Sequence, residues 1–317
     1  MPRISKITVL KFVATATLLF FLYRRVDVAK LKDAVSDLRA FPLVMFFPIC
    51  AANMALSALR WRTLLRADGI NLPLGKLFTS YWIASFFNCF MPSNIGGDVY
   101  RIADIAKRSA KPVNTTVSVF ADRLIGFIAM SFLGVVFPLA GLRFIPSESR
   151  WVLMMAAFVF ACFIAAAFIV RTEFFIGLIP KLLPRKWRDK TRAAAETVRG
   201  SFAAYGRDPA VIFKCLGISL VFQMMMVAAI WCVGYSLGLR IPFFVYCVFV
   251  PIINLLESIP FTIYGIGFRD YGYMMFLTAA GAAAADTYTM NMSVIYVTLT
   301  LVYSSLGGLI FLARTRR

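Results

Sequence analysis

Residues 88–101 read NCFMPSNIGGDVYR, and residues 257–270 read ESIPFTIYGIGFRD. Each breaks an apolar run with a polar residue, a Pro, two Gly, and an Arg close to an Asp. Backbone polar groups cannot be left unsatisfied against lipid, so breaks at membrane depth are tolerated only where they are buried in protein or line a watery cavity. Pro92 and Pro260 end the helices before them. Gly96, Gly97, Gly265 and Gly267 permit positive φ and close packing. Helix termini meeting at such breaks bring partial charges to one place. One break entering from each side of a membrane predicts a central site between inverted repeats.

Composition supplies the membrane. The 317-residue chain is 61% hydrophobic with 31 Phe and only 15% charged residues, against about a quarter in soluble domains. Its mean hydropathy is +0.79, and several apolar runs reach the ~20 residues that cross a bilayer core. The net charge of +19 lies mainly between apolar runs, which fits membrane orientation and anionic headgroups rather than nucleic acid. His is absent, which removes the commonest metal ligand and neutral-pH general base. Six Cys at positions 50, 89, 162, 215, 232 and 247 form no CxxC pair and read as small apolar residues. No metal and no cofactor is expected. Arg3, Lys6 and Lys11 precede a run that ends in FFLYRR, without a small-residue cleavage site, so an uncleaved first span is expected.

Apolar segments fall at 7–23, 41–59, 77–91, 113–141, 151–170, 211–238, 241–263, 271–283 and 288–313. Lys and Arg number four in 60–76, four in 101–111, nine in 171–207 and three in 314–317, but two in 142–150 and none in 284–290. Placing the rich segments in the cytoplasm puts both termini inside. The arrangement closes if 77–100 enters and leaves on the cytoplasmic side and 241–283 on the outer side. The expected fold is therefore all-α and polytopic: six full spans plus two oppositely oriented re-entrant hairpins in a single domain, with repeat-like halves at 1–141 and 151–313. Residues 24–40 carry five basic residues on the outer side, against the trend, and are expected to form a short amphipathic surface helix. The basic segment 171–207 is expected to form an amphipathic connection on the anionic inner leaflet.

Charges in or beside apolar segments cost at least ~2.5–3.5 kcal/mol each at mid-bilayer, so they face an interior and pair. Arg123, Arg269 and Arg101, with Asn88, are the candidate headgroup-binding residues, because a guanidinium fork suits phosphate. Asp98, Asp122, Glu257 and Asp270 would orient those forks or gate them. The alternative is that such pairs only lock the hairpins together. Asn88 and Asn254 suit the capping of broken helix ends as well as ligand contact. The runs GAAAA (281–285) and LGGL (306–309) read as close helix packing.

The motifs RWRTLL, YWIASFFNCFMPSNIGGDVYR, DRLIGF and IPFTIYGIGFRD, in this order, resemble the lysylphosphatidylglycerol synthase transmembrane-region family, which supplies the flippase domain of bacterial multiple peptide resistance factor. The resemblance runs over nearly the whole chain and implies a helical fold that moves lipids between leaflets. Asp122-Arg123 and Arg269-Asp270 stand where the family commonly has Glu-Arg and Arg-Glu, with charge kept. The synthase domain that aminoacylates the lipid has no counterpart in the 317 residues, so a transporter rather than an enzyme is expected. The expected cargo is an anionic phospholipid or a polyprenyl phosphate in the inner membrane, and a second copy or a separate lipid-modifying enzyme are the protein partners considered. No GxxxxGK[ST] motif occurs, so movement would be downhill, or coupled to membrane potential or to protons through Asp98, Glu257 or Asp270. The competing reading is a polyprenyl-phosphate glycosyltransferase using Asp98 and Asp104 on an exposed strand.

Overall fold

The computed structural model describes residues 38–90, 96–145, 147, 150–171, 185–257, 268–281 and 285–315. The expected span at 7–23, most of the surface helix at 24–40, and Pro92, Pro260, Gly265 and Gly267 lie outside the described residues, as does the side chain of Asp270. Among the described residues there are ten α-helices and no strands: α1 (Ala40–Ala67), α2 (Leu74–Phe90), α3 (Gly96–Ser109), α4 (Pro112–Ala140), α5 (Trp151–Arg171), α6 (Arg185–Arg207), α7 (Pro209–Ser236), α8 (Phe243–Glu257), α9 (Phe268–Ala279) and α10 (Ala285–Thr315).

Among the described residues, four helices are long and apolar enough to cross a membrane: α1, α4, α7 and residues 291–314 of α10. Each exceeds the ~20 residues that span ~30 Å at 1.5 Å per residue. The sequence signals that start them are local. Pro112 and Pro209 sit in the first turns of α4 and α7, and Asp208 caps α7 by accepting from the Ala210 amide at 3.0 Å. By contrast α2, α8 and α9 have 17, 15 and 12 residues, short for a crossing. Helix α2 ends at Phe90 and α3 starts at Gly96, and α8 ends at Glu257 and α9 starts at Phe268; Pro92 and Pro260 fall between them, outside the described residues.

Two boundaries differ from the sequence reading. The apolar run 41–59 was expected to end there, but α1 continues to Ala67, so Arg60 belongs to the helix rather than to a cytoplasmic loop. Residues 98–104 form part of α3, not an exposed strand. Asp98 in its first turn and Lys107 and Arg108 in its last complement the helix dipole.

The packing has an internal correspondence. Helix α1 lies against α7; α2 packs on α3 as α8 packs on α9; α2 packs on α10 as α8 packs on α4; α3 packs on α4 as α9 packs on α10. Each set of four helices has its own apolar core. Ala58, Trp61, Leu65, Leu77 and Ile105 fill the first, and Ile230, Val248, Phe249, Phe276 and Leu277 fill the second. Close approach is built from glycine. A Cβ on Gly307 would stand 2.1 Å from the Trp82 carbonyl oxygen, and one on Gly97 would stand 2.5 Å from that of Ala84. The LGGL run therefore lets α10 contact α2, and Gly97 tucks the start of α3 onto α2.

Helix α6 is fastened to the ends of α1 and α4. The Tyr205 hydroxyl donates to Asp68 at 2.5 Å, and the Asn114 amide donates to Ser201 at 3.1 Å. Burial first, then the hydrogen bond to Asp68, hold the Tyr205 phenol well above its ordinary range, so it stays a donor.

Candidate functional site

A cavity of about 420 Å³ opens between α1, α2, α3, α4, α7 and α10. One wall is charged. Asp122 on α4 is 2% exposed and accepts from Arg60 Nε at 2.6 Å, the Tyr81 hydroxyl at 2.5 Å and Arg101 Nη1 at 3.2 Å. Arg101 Nη2 donates onward to Asp98 at 2.5 Å, and Asp98 also accepts from Arg123 Nε. Arg60 Nη1 donates to Ser219 of α7 at 2.8 Å. The result is an alternating series, Arg123, Asp98, Arg101, Asp122, Arg60, which with Tyr81 and Ser219 ties α1, α2, α3, α4 and α7 into one network.

The local sequence explains the reach. Asp98, one residue past Gly97, is brought to α2 because Asn88 Oδ1 accepts the Gly97 amide at 2.7 Å. Asp98 and Arg101 are one turn apart on α3. Arg101 is buried beneath aromatic faces, its guanidinium 4.1 Å from the Tyr81 ring centre and 5.0 Å from that of Trp61. Trp61 is held in turn by its indole N–H on Ser118 at 2.9 Å. Three guanidinium groups meet two carboxylates, which leaves this wall with an excess positive charge. Arg123 is the most open of the three, with 31% of its side chain exposed against 4% for Arg101 and 9% for Arg60.

The cavity is also lined by apolar side chains, Phe46, Met54, Phe127, Met130, Phe222 and Met226, and the Phe222 ring centre lies 6.0 Å from the Arg60 guanidinium. A lining that mixes charged and apolar groups suits an amphiphile better than an ion or a sugar alone.

The structure brings Asn88, Asp98, Arg101, Asp122 and Arg123 together on this cavity. Glu257 and Arg269 lie elsewhere. Arg269 is 1% exposed, forms an ion pair with Glu257 at 3.6 Å, donates to Ser293 at 3.1 Å and stacks 5.5 Å from the Tyr296 ring centre. Tyr296 faces the cavity, so Arg269 backs the wall of which Tyr296 is part. Of the candidate headgroup-binding residues, Arg269 therefore stands in a cluster separate from that of Asn88, Arg101 and Arg123. The cause is the packing of α9 against α8 and α10, which keeps Arg269 inside the second apolar core. Asp104 is drawn to the end of α10, where Arg314 donates to both its oxygens at 3.0 and 3.2 Å; Arg108 adds a bond at 3.2 Å.

Sequence reasoning missed Arg60 and Tyr81 as members of the network. A signal existed: Asn53, Ser57 and Arg60 fall at i, i+4 and i+7 in an otherwise apolar run, which is one face of a helix. Counting Arg60 as a loop residue hid that stripe.

A polytopic helical membrane domain, with a charged interior cavity enclosed by two similarly packed sets of helices, is the class defined here. The chain belongs to the lysylphosphatidylglycerol synthase TM region family, whose profile matches residues 8–307, and which is a membrane domain tied to lipid handling. No curated protein matches the chain significantly.

Proposed function

We propose that this chain is a lipid translocase, passing a phosphate-bearing headgroup between leaflets through the central cavity while the acyl chains stay in hydrocarbon. The observation that carries the proposal is the amphiphilic lining of the cavity: an arginine-rich series together with Phe and Met side chains. Arg123 meets the phosphate; Asp98 and Asp122 hold the three guanidinium groups in place so that an anion finds a preorganised site. Asn88 serves as the cap that holds α3 to α2.

In this reading α1–α4 and α7–α10 are inverted repeats, which sharpens the halves expected at 1–141 and 151–313. The α2/α3 and α8/α9 pairs are re-entrant from opposite sides, with both termini cytoplasmic in the inner membrane. The packing correspondence and the shortness of α2, α8 and α9 support it, and rocking of one repeat against the other would alternate access. The chain acts without catalysing bond chemistry. The carboxylates that a glycosyltransferase reading relies on, Asp98 in the first turn of α3 and Asp104 past its middle, are each held by arginines.

The test is a leaflet-sidedness assay in liposomes with labelled anionic phospholipids. The chain should speed headgroup appearance in the opposite leaflet, and Arg123→Gln should abolish that gain while the protein stays folded. No acceleration with any phosphate-bearing lipid would end the proposal.

A further inference from the structure

One polar side chain of the cavity lies outside the charged network. Asn53 is 4% exposed and lines the cavity, yet neither its amide oxygen nor its amide nitrogen has a hydrogen-bond partner among the described residues. The charged groups of the network are satisfied: Asp122 by three donors, Asp98 by two, Arg60 by Asp122 and Ser219. A buried amide with both atoms unpaired is rare, since each unmet group loses its hydration without return.

A second amide shares this level of the cavity. Helices α1 and α7 run antiparallel, with Arg60 on Ser219 at one point and the Arg39 amide on the Ser236 carbonyl at the other. Equal rise per residue then brings Asn53 level with the Phe222–Met226 turn, and Gln223, 6% exposed, lines the cavity there. Asn53 and Gln223 stand at the middles of their 28-residue helices. Arg60 lies two turns away along α1, about 10 Å.

We propose that Asn53 and Gln223 form a neutral subsite for the hydroxyl groups of a phospholipid headgroup, separate from the arginine site for its phosphate. The proposal rests on the lipid-translocase reading and narrows its substrate class to lipids whose headgroup carries hydroxyls beyond the phosphate. The chemistry selects this class. A carboxamide presents one acceptor and two donor hydrogens. An ammonium group would satisfy only the oxygen, and a phosphate only the nitrogen. A hydroxyl both donates and accepts, so vicinal hydroxyls answer both atoms at once. An uncharged pair at mid-helix also offers hydrogen bonds at the depth where a fixed charge is most costly.

The experiment measures binding rather than transport, using the full chain in phosphatidylcholine nanodiscs and displacement of a labelled phosphatidylglycerol. The competitors are unlabelled phosphatidylglycerol and phosphatidylpropanol, which keeps the phosphate charge and three-carbon head but lacks both hydroxyls. The wild-type chain should prefer phosphatidylglycerol by about tenfold, the size expected for one or two net hydrogen bonds. Asn53→Leu should shrink that preference to within about twofold without weakening phosphatidylpropanol, and Gln223→Leu should shrink it in part. Because Asn53→Leu removes an unmet amide, its melting temperature should stay level or rise; a sharp fall would show that the protein itself holds the amide and would overturn the subsite. Equal wild-type affinity for the two lipids overturns the subsite and leaves the lipid-site reading standing. Absence of saturable binding by either lipid overturns the lipid-site reading and the subsite with it.

Discussion

In the first set of helices, Asp122 gathers Arg60, Tyr81 and Arg101 on the wall of an open cavity, with Arg123 beside them and partly exposed. In the second, Arg269 is sealed among Glu257, Ser293 and Tyr296. The chain breaks that deliver these charges look alike in sequence. Their outcomes differ because α3 is amphipathic and lies along a polar cleft, while α9 carries Tyr273, Phe276 and Leu277 into the apolar core. Similar motifs in the two halves thus yield a site on one side and a support on the other.

The comparison can be broken most forcefully at Asp122. Asp122→Ala strands Arg60 and Arg101 without their shared acceptor, and removal of one partner from a buried pair costs about 3–5 kcal/mol. Denaturant unfolding in detergent should show that loss, and transport should vanish with it. Arg269→Met comes next: it leaves Glu257 facing a buried gap, with a loss of about 3 kcal/mol. Transport per folded molecule should stay near wild type, because this pair supports rather than binds. Gly97→Ala tests how the first hairpin closes. Its Cβ would meet backbone oxygen at 2.5 Å, and the required shift of α3 should cost about 1–3 kcal/mol and carry Asp98 off Arg123.

The smallest effect is expected outside both clusters. Tyr205→Phe removes one hydrogen bond to Asp68, worth about 1 kcal/mol, with transport unchanged. Since the folded phenol titrates above its ordinary value, its contribution is complete below about pH 10 and is lost as pH rises through the folded value. Alkaline melting curves of wild type and Tyr205→Phe should therefore converge above about pH 10.

Much of this was legible in the sequence. Apolar runs located α4, α5, α7 and α10 to within three residues at each end, because length and hydropathy are local properties, while α1 continues past its run to Ala67. Five of the charged or polar candidates, Asn88, Asp98, Arg101, Asp122 and Arg123, do meet on one cavity. What the sequence could not show is which charge faces which. Arg60 lies 62 positions from Asp122, and only the packing of α1 on α4 and α7 unites them. Arg269 failed to join Arg123 for the same reason: motif similarity reports helix breaks, whereas burial of the following helix decides whether its charge meets solvent. Asn53 was invisible because an Asn in an apolar run shows neither its burial nor its lack of partners.

The central claim is that the first cluster binds the cargo and the second supports the fold. It is tested most directly by measuring liposome transport and thermal stability together on Arg123→Lys and Arg269→Lys. Each keeps its charge and loses the planar fork. The account predicts that Arg123→Lys retains wild-type stability and loses at least about tenfold in transport, while Arg269→Lys loses stability with transport per folded molecule retained. Full transport by Arg123→Lys, or transport lost only in proportion to stability in both variants, would contradict it.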